Sequence, residues 1–134
     1  MGNKVFVRID PGEEIVGTLT ELCKELQITA GTISGIGATD NARIGLFDVK
    51  SKTYHSTQIT GDHEIAPVFG NISVCNGEVY LHVHVNLCDA HHHSFGGHLS
   101  SAVVSATFEA VIEIADGTIH REFDESSGLN LQKF

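Results

Sequence analysis

The segment from Gly77 to Leu99, GEVYLHVHVNLCDAHHHSFGGHL, constrains the fold of this chain more than any other. Its first half alternates strictly. Val79, Leu81, Val83, Val85 and Leu87 take one parity, and Tyr80, His82, His84 and Asn86 take the other. A period of two belongs to a half-buried strand, so the apolar set is assigned to the core and both imidazoles to the opposite face, about 7 Å apart along the strand. The preceding Asn76-Gly77 favours the left-handed dihedrals of a type I′ turn and predicts a hairpin joining Val68–Cys75 to Glu78–Leu87. With a two-residue loop, Val74 faces Val79 and Ile72 faces Leu81 on the core side. Asn71 then faces His82, and Phe69 faces His84, on the other side.

Around this hairpin the chain reads as one helix among strands. A strand over Lys4–Ile9 ends at Asp10-Pro11-Gly12-Glu13, which has the form of a helix start: Asp10 as N-cap, Pro11 at the first helical position and Glu13 as the reciprocal carboxylate. Ile15, Leu19, Leu22 and Leu26 recur at spacings of four, three and four, giving an amphipathic helix to about Leu26. Strands are expected over Gly31–Ala38, Ala42–Val49 and Tyr54–Thr60. A second hairpin at Asp116-Gly117 is expected to join Val104–Ala115 to Thr118–Phe123. The fold class is therefore α+β, a mostly antiparallel β-sheet with one N-terminal amphipathic helix. No linker or repeat divides the 134 residues, which read as a single domain with a mobile tail from about residue 125. The Gly-rich SGIGA at 34–38 lacks both GxGxxG and GxxxxGK[ST], so its glycines are read as tight sheet packing and not as a phosphate loop.

Charge and cysteines narrow the function classes. The formal charge is −9, from 8 Lys plus Arg against 17 Asp plus Glu, and the cations are scattered. Nucleic-acid binding needs a basic patch to displace counterions from phosphates, so direct DNA contact by this chain is disfavoured. Cys23, Cys75 and Cys88 form no CxxC pair and no even set. Cys23 and Cys75 read as buried hydrophobes, and Cys88 is close enough to the histidines to leave a metal or redox role open. Without an apolar leader or an 18-residue apolar run, the chain is expected in the cytoplasm.

Metal chemistry is the functional signal. Two strand histidines at i and i+2 supply a rigid chelating pair, and His98 follows after Gly96-Gly97, whose freedom to bend would return a third imidazole over them. Three protein ligands leave a fourth position open. Imidazoles favour zinc, with iron, nickel or copper as other divalent candidates. The run His91-His92-His93 is louder but weaker, because consecutive side chains do not converge on one point; it reads as a loop. His55, His63 and His120 are isolated and read as structural. A cupin also carries HxH on a strand but follows it with a glutamate ligand. Here Val85, Asn86, Leu87, Cys88 and Asp89 follow His84, so that fold is set aside.

Together these segments resemble the PPC domain (plants and prokaryotes conserved; domain-of-unknown-function family 296), in its stand-alone prokaryotic form. The resemblance rests on SGIGA at 34–38, LFDVKSKTY at 46–54, HEIAPVFGNIS at 63–73, NGEVYLHVHVNL at 76–87, GGHL at 96–99 and SATFEAVIEI at 105–114. It departs at the HHH loop, where family members more often have a glycine-containing turn. The resemblance implies a homotrimer, a zinc held by His82, His84 and His98, and a neighbouring groove lined by Glu64 and Asn71. Family usage also implies a DNA-binding or regulatory role, by analogy with plant members that carry AT-hooks. No Arg-Gly-Arg core is present here.

Two functions follow as expectations. The first is a trimeric zinc-containing binding or regulatory module. The second is a metal-dependent enzyme acting on a small molecule, with Glu64 as the candidate catalytic proton acceptor at the open metal position. For Glu64 an ordinary surface ion pair is the competing account.

Overall fold

The computed structural model describes residues 3–134. Its elements in chain order are β1 (Lys4–Ile9), α1 (Ile15–Glu25), β2 (Gly31–Asp48), β3 (Thr53–Cys75), β4 (Glu78–Cys88), β5 (Ser94–Ile114), β6 (His120–Asp124) and β7 (Leu129–Lys133). This is the expected α+β architecture. Every strand pairing is antiparallel except a short parallel contact between β3 and β6.

Three long strands, β2, β3 and β5, organise the sheet. The segments read separately as Gly31–Ala38 and Ala42–Val49 form one strand, β2, and those read as Tyr54–Thr60 and Val68–Cys75 belong to β3. Register shifts at Gly35/Gly37 and Thr39/Asn41 let β2 bend without ending. Because β2 pairs with β3 and β5, and β4 also pairs with β3 and β5, these four strands close the sheet on itself. Inside lie Ile33, Ile65, Val68, Ile72, Val83, Leu87, Phe108 and Ile112, all nearly free of solvent. Helix α1 lays Ile15, Leu19 and Cys23 against this core, packing on β5 and β4. Burial of each large aliphatic side chain stabilises the fold by roughly 1.5–3 kcal/mol.

The helix starts later than expected. Gly12 has φ +89°, which no right-handed helix accommodates, so residues 10–13 form a turn. Glu13 does reach back to the Asp10 N–H at 3.0 Å, but the N-cap is Glu14. The Glu14 carboxylate accepts from Val16 N, Gly17 N and, across to β5, Ala102 N. It thus satisfies helix donors and fixes the helix to the sheet at once.

The Asn76-Gly77 hairpin has the expected register: Val74 opposes Val79, Ile72 opposes Leu81, Asn71 opposes His82 and Phe69 opposes His84. The Asp116-Gly117 turn is different. At residues 108–113, β5 is flanked on one side by β1 and on the other by β2, so no edge is free for a returning strand. The chain after Gly117 crosses to β3, where Val74 pairs with His120, and then turns at Gly128 to form β7 antiparallel to β6.

Candidate metal centre

β4 presents His82 and His84 on its outer face because Leu81, Val83 and Val85 are drawn into the core. The third imidazole comes from a strand and not from a turn. His98 lies in β5, directly opposite His84, at the point where β5 passes from pairing with β4 to pairing with β2. The two glycines before it serve close approach. A Cβ at Gly97 would stand 2.7 Å from Gly45 O, and one at Gly96 would strike Val85 O. Without side chains there, β5 can lie against both neighbours at once.

The rings converge. Nε2 of His82 and Nε2 of His84 are 3.2 Å apart, and one ring nitrogen from each of the three histidines lies within 4.8 Å of the others. Two nitrogens on a tetrahedral ion at roughly 2.0–2.1 Å are about 3.4 Å apart, so the spacing fits a small first-row metal. Burial holds the pKa of His82 below its usual value, helped by the positive charge of Arg121 and by His84 and His98. Burial and then His84 do the same for His98. Both shifts favour the neutral imidazole, the form that binds metal.

Sequence reasoning missed two flanking groups. On the His98 side, Tyr54 meets the imidazole edge-on at 5.8 Å between centroids, with its hydroxyl 2.9 Å from Ser100 Oγ. On the His82 side, the guanidinium of Arg121 lies 5.0 Å over the Tyr80 ring. Its Nε donates to Ser73 Oγ, Nη1 to Asn130 O and Nη2 to Asn71 Oδ1. Arg121, in β6, has no local sequence signal; Tyr54, the second residue of β3, closes the LFDVKSKTY segment, but nothing in that segment places it against His98.

Of the other residues singled out from sequence, Asn71 lies beside His82 as its cross-strand partner, while Glu64, Cys88 and the consecutive histidines lie away from the rings. Glu64 opposes Cys88, four residues beyond His84, a distance of about 13 Å along β4. It is exposed, near Ile36, Ala66 and Glu109. Cys88 shares that remove from the triad. His91, His92 and His93 are exposed in the β4–β5 loop, where Asp89 Oδ1 accepts from the backbone N–H of His91 and His93.

The Plants and Prokaryotes Conserved (PCC, also PPC) domain model matches residues 1–116. The chain belongs to this family. Among solved PPC-like structures, a candidate DNA-binding protein from Bacteroides thetaiotaomicron is 36% identical with a TM-score of 0.97, over 100% of this chain and 94% of that one. A metal-containing protein from Archaeoglobus fulgidus is 34% identical with a TM-score of 0.90, covering 99% and 94%. A PPC protein from Pyrococcus horikoshii is 31% identical with a TM-score of 0.91, covering 99% and 92%. No curated protein matches the chain. Among the described residues no helix is long and apolar enough to cross a membrane.

Proposed function

We propose that this chain is a single-domain, zinc-binding PPC protein, a homotrimeric binding or regulatory module of the cytoplasm. Its metal, held by His82, His84 and His98, offers an open position on the outer sheet face. The observation that carries this reading is the convergence of three imidazoles from two paired strands, with His84 exposed. The metal-containing Archaeoglobus relative supports a metal here. The all-imidazole donor set supports zinc. The free state of Cys23, Cys75 and Cys88 supports a reducing compartment.

Trimer formation is supported by an apolar outer face that runs up to the triad. Phe6, Val111, Ser34, Phe69 and His84 follow one another as cross-strand partners over five strands. Phe6, Ile36 and Phe69 are 79%, 61% and 57% exposed, and such patches mark association surfaces. Direct DNA contact is not supported. Lys4, Arg8, Lys24 and Lys133 each pair with a carboxylate and Arg121 is held within the fold, so besides it only Arg43, Lys50 and Lys52 remain without an acidic partner among the described residues, in a chain of net charge −9.

Elemental analysis of the untagged protein is the test. One zinc per chain in the wild type and little in His84→Ala is expected; substoichiometric metal in both would end the reading. Light scattering is expected to give three chain masses of 14.4 kDa, and a monomer would contradict the trimer.

The count of three protein ligands also favours a second reading, a metal-dependent enzyme acting on a small molecule. A zinc with an open position acts as a Lewis acid toward a ligand oxygen. Glu64 serves as proton acceptor in that reading when a neighbouring copy brings it to the triad. A substrate screen with Glu64→Gln is the check, and unchanged turnover would remove its role.

A further inference from the structure

Arg121 stands out from the other cations. It lies beyond the residues matched by the family model, and its side chain is half-buried beside the triad. Among the described residues it makes no ion pair, whereas four of the other cations do. A guanidinium has five N–H donors. Three are used, one each by Ser73, Asn130 and Asn71, which leaves two without an acceptor among the described residues.

Asn71 adds to this surplus. It is the cross-strand partner of His82, which places it next to that imidazole on the same face. Its Oδ1 accepts from both Arg121 Nη2 at 2.8 Å and Gln132 Nε2 at 3.3 Å. Those two donors fix the amide's orientation, and its Nδ2 is left with no acceptor among the described residues. Beside His82 there is thus a fixed positive charge with spare donors on two side chains and no carboxylate paired to that charge, in a chain whose net charge is −9. Such a cluster is matched by an oxyanion, which accepts charge-assisted hydrogen bonds without donating any.

We propose that Arg121 and Asn71 form an oxyanion subsite that binds the carboxylate or phosphate group of a small ligand at the metal's open position. The subsite rests on the three-histidine metal reading. It makes the C-terminal β6–β7 hairpin a specificity element: Arg121 comes from β6, and Asn130 and Gln132 of β7 hold it and Asn71 in place.

The test loads the full chain with cobalt(II), whose visible spectrum reports its coordination, and titrates it with inorganic phosphate and with acetate. Saturable spectral changes are expected in the wild type. In Arg121→Gln the cobalt stoichiometry is expected to hold, while anion affinity falls about tenfold or more. The stronger of the two anions identifies the ligand class. A wild-type chain that takes up no cobalt fails the metal reading and the subsite with it. A chain that takes up cobalt but binds both anions as tightly in Arg121→Gln as in the wild type overturns the subsite alone. A lower unfolding temperature with unchanged anion affinity does the same, by reducing Arg121 to a structural pin. If Arg121→Gln does not fold, Arg121→Lys keeps the charge without the planar fork. It is expected to weaken the anions about threefold or more, and equal affinity would overturn the proposal.

Discussion

This chain carries two sets of three histidines, and the structure treats them in opposite ways. His82, His84 and His98 are up to sixteen residues apart, yet their ring nitrogens lie within 4.8 Å. His91, His92 and His93 are consecutive and exposed, and they form no such cluster of three converging ring nitrogens among the described residues. The first set is placed by backbone pairing, which aims alternate side chains to one side and sets His98 opposite His84. The second is placed by a loop that Asp89 organises, its Oδ1 accepting from the backbone N–H groups of His91 and His93 and its Oδ2 lying 3.6 Å from His93 Nδ1. Proximity in sequence does not make a site; a shared, rigid face does.

The largest effect separates the two sets. His98→Ala is expected to weaken zinc binding by more than about 100-fold, exceeding the usual loss for a supporting residue. Replacing His91, His92 and His93 together by Ala is expected to leave it within about threefold. Competition against a zinc chelator measures both, and equal losses would dissolve the contrast.

The backbone that aligns His98 can be attacked without touching an imidazole. Gly97→Ala forces a Cβ toward Gly45 O. A stability loss of about 1–3 kcal/mol is expected in denaturant unfolding, with weaker metal binding. Unchanged stability would mean that the strands do not need this close approach.

Acid sharpens the comparison next. Well above about pH 6.5 His82 and His98 are neutral in folded and unfolded chains alike, so their shifts cost nothing there. Below that value the unfolded chain takes up protons first, because His82 and His98 are held low in the fold. Apo-protein stability therefore falls as pH drops through and below the ordinary imidazole range. Protons compete for the same nitrogens, so metal is retained somewhat below pH 6.5 and then lost. Urea unfolding of the apo-protein from pH 7.5 to 5 measures the first part.

The smallest effect lies in the loop. His92 has φ +67°, a conformation that suits glycine better. His92→Gly is expected to change stability by less than about 1 kcal/mol, in the stabilising direction, with metal binding unaffected.

The Asn76-Gly77 hairpin could be read from sequence because turn chemistry and alternation specify one register together, and a slip of one residue would expose the core set. The same logic failed at Asp116-Gly117. The turn forms, with Gly117 at φ +86°, but both flanks of β5 are already taken by β1 and β2. A local signal could not report that occupancy. Gly96-Gly97 was read as a bend for the same reason: a glycine needed for strand contact looks the same in sequence as one needed for a turn. Asp10-Pro11-Gly12-Glu13 kept its carboxylate contact but lost its helix to Gly12. The triad followed from alternation plus one returning histidine. Arg121 and Tyr54 reach it only through the pairing of distant strands, so nothing near them in sequence places them beside it.

X-ray absorption on the zinc-loaded full chain counts the ligands and gives their distances. Three imidazole ligands at about 2.0–2.1 Å and one further light-atom neighbour are predicted. A sulfur neighbour at about 2.3 Å, which would bring in Cys88, or fewer than three imidazoles would contradict a site built from His82, His84 and His98.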